Sequence, residues 1–162
     1  MKIDFAQAGA AVFRLLLERG ERVSFAESLT GGMIAAALVG CPGVSDALLE
    51  GCVCYSNEAK QRTLGVLTET LHDHGAVSAE CALEMVHGIC DYTGSDTAVA
   101  VTGIAGPGGG TEYKPVGTVY IACQVCGNKR VEHHVFSGDR QQVRTQTAVR
   151  ALEMLMECIK SR

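Results

Sequence analysis

No apolar run in this sequence approaches the ~18 residues that a membrane span requires. Met1-Lys2-Ile3-Asp4 opens without the apolar stretch of a signal peptide. We therefore expect a cytoplasmic protein with no membrane partner. No basic run exceeds two residues, and 14 Lys plus Arg against 18 Asp plus Glu leave a formal net charge of −4. That balance argues against nucleic acid as the main partner, while leaving room for a small phosphorylated ligand. Internal repeats, low-complexity tracts and linkers are also missing. With 162 residues, 47% of them apolar, the chain fits one domain that buries roughly two-thirds of its unfolded surface.

A complete metal-ligand set is missing as well. The eight cysteines stand at 41, 52, 54, 81, 90, 123, 126 and 158, mostly inside apolar runs. Cys123 and Cys126 have CxxC spacing but fall within a predicted strand, where positions three apart face opposite ways. No second CxxC follows, and His133 and His134 are adjacent rather than spaced. Buried free thiols, and no metal, are the expectation.

What is present is periodicity punctuated by glycine. Residues 4–19 place Phe5, Ala8, Val12, Leu15 and Leu16 at helical spacing, and Gly20 is a good stop. Arg22 to Ala26 reads as a short strand, and Gly32 to about Val39 as a buried helix closed by Gly40-Cys41-Pro42-Gly43. Ala47 to Tyr55 reads as a second strand. Ser56 or Asn57 caps a short helix that Gly65 ends, Thr68 to about His74 forms another, and Ser78 caps a longer one. On that helix Cys81, Met85, Ile89 and Tyr92 form a stripe.

Asp96 to Thr102 is a nearly continuous β-type run, as expected of a central strand buried on both faces. Val116 to Val125 and Lys129 to Phe136 read as strands joined at Gly127-Asn128, a hairpin signal. Ser137-Gly138-Asp139 starts a last helix. Helices between the early strands make that part parallel, and the hairpin adds an antiparallel pair. The fold class is α/β: a three-layer α/β/α single domain with a mixed, mostly parallel sheet.

The chain is organised around Ala26-Glu27-Ser28-Leu29-Thr30-Gly31-Gly32, a strand-to-helix junction. Two glycines allow a sharp turn and a close approach to the backbone. Ser28 and Thr30 can cap the helix, whose first unpaired N–H groups make a site for negative charge. A serine on such a turn suits acyl transfer; it equally suits an ordinary helix start.

Loops after strands in an open α/β sheet meet at the carboxyl edge. That edge would gather Ser28, Tyr55 with Lys60, and the glycine-rich Gly103 to Gly110. A lysine can serve as base for a serine if burial lowers its pKa from ~10.4 toward ~7–8. Tyr55 could relay the proton or position the lysine, and Ser–Lys arrangements are a variant of the triad logic. The Gly103–Gly110 loop matches neither the P-loop nor GxGxxG, yet its N–H groups could hold a phosphate. Arg140 and Arg144 open the final helix and could add counter-charge.

With these residues assembled, the sequence closely resembles the CinA C-terminal-domain family, whose members include nicotinamide-nucleotide amidases. The matching stretches are Ala26–Gly32, Gly51–Lys60, His74–Ser78, Thr102–Gly110, Lys114–Val119 and Phe136–Arg140 with Val143-Arg144. Two positions depart from the family's usual residues. Leu29 stands where relatives often carry Cys, its side chain expected to point away from the nucleophile. Gly108 stands where they often carry an acidic or polar residue.

The resemblance implies hydrolysis of nicotinamide mononucleotide to nicotinate mononucleotide and ammonia, in pyridine nucleotide salvage. It implies a catalytic centre of Ser28, Tyr55 and Lys60 that needs no cofactor or metal, with an oxyanion held by N–H groups near Thr30 to Gly32. Substrate contacts are expected from Glu27, Thr30, Gly31, Gly32, Asn57, Thr102, Gly103, Ala105, Gly106 and Arg144. Full-length CinA proteins carry a larger N-terminal domain as well, so a stand-alone amidase is expected. The alternative is a non-catalytic nucleotide-binding or partner module, with Ser28 a helix cap and Lys60 a phosphate contact. A homo-oligomer is also expected, because the first and last helices both offer apolar faces.

Overall fold

A computed structural model describes residues 4–162. Met1, Lys2 and Ile3, on which the reading against a signal peptide partly rests, lie outside the described residues. The elements are α1 (Phe5–Arg19), β1 (Val23–Glu27), α2 (Met33–Val39), a 3-10 turn (Val44–Asp46), β2 (Leu48–Val53), α3 (Asn57–Leu64), α4 (Thr68–Asp73), α5 (Ala79–Thr93), β3 (Thr97–Gly103), β4 (Thr118–Val125), β5 (Asn128–Val135) and α6 (Arg140–Lys160).

The predicted punctuation holds at four helix ends. Gly20 and Gly65 close α1 and α3 in the left-handed conformation, Ser56 caps α3 and Ser78 caps α5. Asp139 opens α6 through a reciprocal capping box with Gln142.

The strand order is β2-β1-β3-β4-β5. β1 pairs in parallel with both β2 and β3, while β4 is antiparallel to β3 and to β5. Four of the five strands therefore run the same way. Their carboxyl ends share one edge, to which β1, β2, β3 and β5 deliver their following loops. β3 is buried along its length apart from its last residue, as its unbroken β-type run requires.

Alternation along β1 splits the core. Val23 and Phe25 face α1, α2 and α6 with Val12, Leu16, Ile34, Leu38, Leu152 and Leu155. Ala26 faces the opposite layer of α3 and α5 with Met85, Val86 and Ile89. The apolar faces of α1 and α6 pack on each other and on the sheet, so the surfaces that suggested an oligomer are largely spent inside the domain. No helix among the described residues is long and apolar enough to cross a membrane.

Three local expectations are corrected. The hairpin turn is Cys126-Gly127, flanked by the Val125–Asn128 pair, rather than Gly127-Asn128. Both turn residues have positive φ, 49° and 82°, the pairing a tight hairpin demands; sequence pattern gives no reason to place a cysteine there. Cys126 is consequently exposed in a turn, whereas Cys123 is buried in β4. Tyr92 does not complete the α5 stripe: it is 58% exposed, while Cys81, Met85 and Ile89 are buried. All eight cysteines are free thiols, and four of them (Cys54, Cys81, Cys90 and Cys123) are buried.

Candidate active site

The Ser28 turn is fixed residue by residue. Gly31 and Gly32 have φ of 59° and 97°, left-handed values at which side chains are strained. They let the chain double back from β1 into α2. The Gly31 N–H donates to Ser28 O at 3.1 Å. From α6, Arg144 donates through Nε to Leu29 O at 2.9 Å and through Nη2 to Thr30 O at 3.0 Å. Leu29 turns away from Ser28 into the core cluster with Phe25 and Ile34.

The expected caps of α2 are not used. Gly32 is the N-cap and receives no side-chain bond from Ser28 or Thr30. Instead Glu27, 1% exposed, folds its carboxylate back over the helix start. Its Oε2 accepts from Gly32 N–H at 3.0 Å and Ile34 N–H at 3.1 Å, and its Oε1 accepts from Ala35 N–H at 2.9 Å. A carboxylate is what the positive end of a helix favours. With the Gly31 N–H given to Ser28 O and the Gly32 N–H to Glu27, both of these donors are occupied. The N–H groups of Leu29 and Thr30 have no acceptor among the described residues, and the buried Thr30 Oγ1 has no hydrogen-bond partner there either.

Because β-strand side chains alternate, Glu27 faces α2 and Ser28 faces the α3 layer. There Lys60, 1% exposed, meets three oxygens at 3.0 Å each: Ser28 Oγ, Cys54 O and Tyr55 O. None of the three carries a charge. Burial pushes the Lys60 pKa down, opposed weakly by the nearby Cys81 and Cys54 thiols; burial also holds Cys81 up at about 11. As an ammonium, Lys60 Nζ donates to all three oxygens; in its neutral form two N–H groups suffice for the two carbonyls and the lone pair faces the serine hydroxyl.

Tyr55 meets Lys60 through its backbone, not its ring. The residue is 59% exposed, and its hydroxyl accepts from Arg140 Nη2 at 3.0 Å. Arg140 also donates through Nη1 to Gly106 O at 2.7 Å, joining the β2–α3 and β3–β4 loops across the front of the site. Asn57 is exposed at the first position of α3.

Thr102 is buried and donates to Ala76 O at 2.7 Å, fixing the loop before α5. Lys114 Nζ ties the same loop by donating to His74 O at 2.7 Å. At Gly103 an added Cβ would lie 2.7 Å from Val119 Cγ2 and 2.8 Å from Thr118 O, so the strand end tolerates only glycine. Gly106 has φ 83°, Ala105 is buried, and Gly108 faces open space.

Of the residues read from sequence, Ser28, Lys60 and the Tyr55 backbone therefore come together. Glu27, Thr102 and Arg144 hold loops with the polar groups that were expected to meet substrate. Sequence reasoning had Arg140 only as loose counter-charge; its place at the start of α6, beside Arg144, was the available signal.

A family model described as the CinA C-terminal domain matches residues 6–159. A competence-damage inducible protein of Clostridium perfringens is 51% identical over 144 residues, 89% of this chain. A CinA-like protein of Thermotoga maritima is 45% identical over 152 residues, 93% of this chain. The chain spans 35% and 37% of the length of those two relatives. Among solved structures, a CinA superfamily protein from Klebsiella pneumoniae matches with a TM-score of 0.94 at 38% identity, over 98% of this chain and 99% of that one. The competence/damage inducible protein CihA from Agrobacterium tumefaciens matches with a TM-score of 0.92 at 42% identity, over 94% of each chain. The chain belongs to the CinA C-terminal-domain family.

Proposed function

We propose that this domain is a serine amidohydrolase that converts nicotinamide mononucleotide to nicotinate mononucleotide and ammonia, in cytoplasmic pyridine nucleotide salvage. The observation that carries the reaction type is the 3.0 Å contact between Ser28 Oγ and a buried Lys60 whose other two contacts are backbone carbonyls. The substrate follows from the resemblance of the motifs around the site to the nicotinamide-nucleotide amidases. The reading of Lys60 as a phosphate contact is disfavoured by its burial.

In the proposed mechanism the Ser28 hydroxyl adds to the carboxamide carbon while its proton passes to the neutral Lys60 Nζ. The carbonyl oxygen becomes an oxyanion, held by the N–H groups of Leu29 and Thr30. The N–H after the nucleophile is a standard oxyanion donor on strand–turn–helix serines. Collapse of the tetrahedral intermediate breaks the C–N bond, and the Lys60 ammonium protonates the departing nitrogen to give ammonia. Water then adds to the Ser28 ester with Lys60 again as base. Nicotinate mononucleotide leaves and the serine regains its proton.

Tyr55 contributes its carbonyl to hold Lys60 and its ring to the rim of the site, where Arg140 steadies it. Intact-mass spectrometry on acid-quenched turnover mixtures tests the covalent step. A nicotinate-mononucleotide ester on Ser28 in the wild type, absent from Ser28→Ala, is expected. Steady ammonia release by Ser28→Ala would overturn the mechanism.

A further inference from the structure

Four consecutive peptide units of the Ser28 turn are anchored, and each anchor decides where an N–H points. A trans peptide is planar, so fixing a carbonyl fixes the following N–H in the opposite direction. Ser28 O is held by Gly31 N–H, which sets the Leu29 N–H. Leu29 O is held by Arg144 Nε, which sets the Thr30 N–H. Thr30 O is held by Arg144 Nη2. The fourth unit, between Gly31 and Gly32, is held from its N–H side by Glu27 Oε2.

We propose that Glu27 is a positioning residue of this turn alongside Arg144, a role that rests on the amidase reading above. Its carboxylate takes the N–H groups of Gly32, Ile34 and Ala35, which locks α2 against the end of β1 and fixes the Gly31–Gly32 peptide that follows the two oxyanion donors, Leu29 and Thr30. One dipeptide thus performs two tasks on opposite faces of the strand: Glu27 holds the helix, and Ser28 meets the base.

Two variants and one wild-type measurement test the proposal. In Glu27→Gln the new amide N–H₂ faces a cluster of N–H donors. In Glu27→Asp the carboxylate is one methylene too short to serve Gly32 and Ala35 together. For either variant that keeps the wild-type circular dichroism spectrum, we expect kcat on nicotinamide mononucleotide to fall about 10²-fold, the order of one lost oxyanion donor. KM should stay within about threefold, and the midpoint of the pH–rate curve, set by Lys60, should not move. The rate of Ser28 phosphonylation by an alkyl fluorophosphonate, whose phosphoryl oxygen mimics the oxyanion, should fall in parallel.

A folded variant phosphonylated within about threefold of the wild-type rate would show that Glu27 is merely structural. In the wild type, phosphonylation should shift the amide proton signals of Leu29 and Thr30 downfield and leave those of Gly32, Ile34 and Ala35 in place. The reverse pattern overturns the proposal without recourse to any variant. A wild type that is phosphonylated at Ser28 yet releases no ammonia would remove the amidase reading and leave Glu27 to be judged by labelling alone. A wild-type Ser28 that resists the reagent overturns both.

Discussion

Replacing Arg144 by Ala separates a residue that builds the turn from one that binds a nucleotide. Arg144 spends Nε on Leu29 O, Nη2 on Thr30 O and Nη1 on Gln141 Oε1. Net contributions of hydrogen bonds to charged groups run at about 1.5–3 kcal/mol each. The two carbonyl bonds are only part-buried, so the lower end applies and their joint loss costs about 2–3 kcal/mol. For a domain of this size each kcal/mol lowers Tm by about 2–4 °C, giving a fall of roughly 5–10 °C in a thermal melt followed by circular dichroism.

Loosening those carbonyls also frees the peptide planes that carry the Leu29 and Thr30 N–H groups, and misplacement by about 1 Å can cost 10²-fold in rate. The account predicts a kcat fall of that order with KM within about threefold. Arg144→Lys should not rescue it, because a single ammonium cannot reproduce the fork. An unchanged Tm with an unchanged kcat and a strongly raised KM would refute the reasoning and return Arg144 to the substrate.

Three further outcomes follow from named contacts. Since burial depresses the Lys60 pKa and the amine must be neutral to accept the serine proton, kcat/KM should rise with pH to a midpoint below ~10.4. A rate that falls between pH 7 and 9 would contradict it. Tyr55→Phe removes the Arg140 bond but keeps the carbonyl that holds Lys60, so a loss of less than about tenfold in kcat is expected; a loss above about 10³-fold would make the hydroxyl a proton carrier. Glu132, held at about 2 first by its bond to Arg150, lies away from the site in a network with Arg130, His134 and Arg150. Its folded pKa is depressed, so its stabilisation is present above the unfolded value of ~4.3 and is lost as pH falls toward about 2. Glu132→Gln should lower the urea-unfolding free energy at pH 7 by about 2 kcal/mol, discounted for partial exposure, and the gap should close over that acid range.

The sequence was most legible where one residue determines its own geometry. Gly20, Gly65, Ser56 and Ser78 end or start helices through their own backbone or hydroxyl, and each sits within a residue of its expected place. Strand ends were less sharp: β2 stops at Val53 rather than Tyr55, which moves Cys54 O and Tyr55 O off the ladder and onto Lys60. The contact between Ser28 and Lys60 was readable because both follow strand ends on one edge of a parallel sheet. What could not be read was competition for the same partners. Ser28, Thr30 and Glu27 can all cap a helix start, and only the strand's alternation, realised in three dimensions, decides that Glu27 reaches α2 while Ser28 faces away. The Arg140 strap and the Arg144 fork depend on where α6 begins relative to loops more than eighty residues earlier, and no local pattern encodes that.

The most direct test of the Ser28–Lys60 centre is ammonia release from nicotinamide mononucleotide by the wild type, Ser28→Ala and Lys60→Ala, measured side by side on folded protein. The account predicts release by the wild type with stoichiometric nicotinate mononucleotide, and near-silence from both variants. Release that survives in either variant, or a wild type that binds the nucleotide without releasing ammonia, would contradict it.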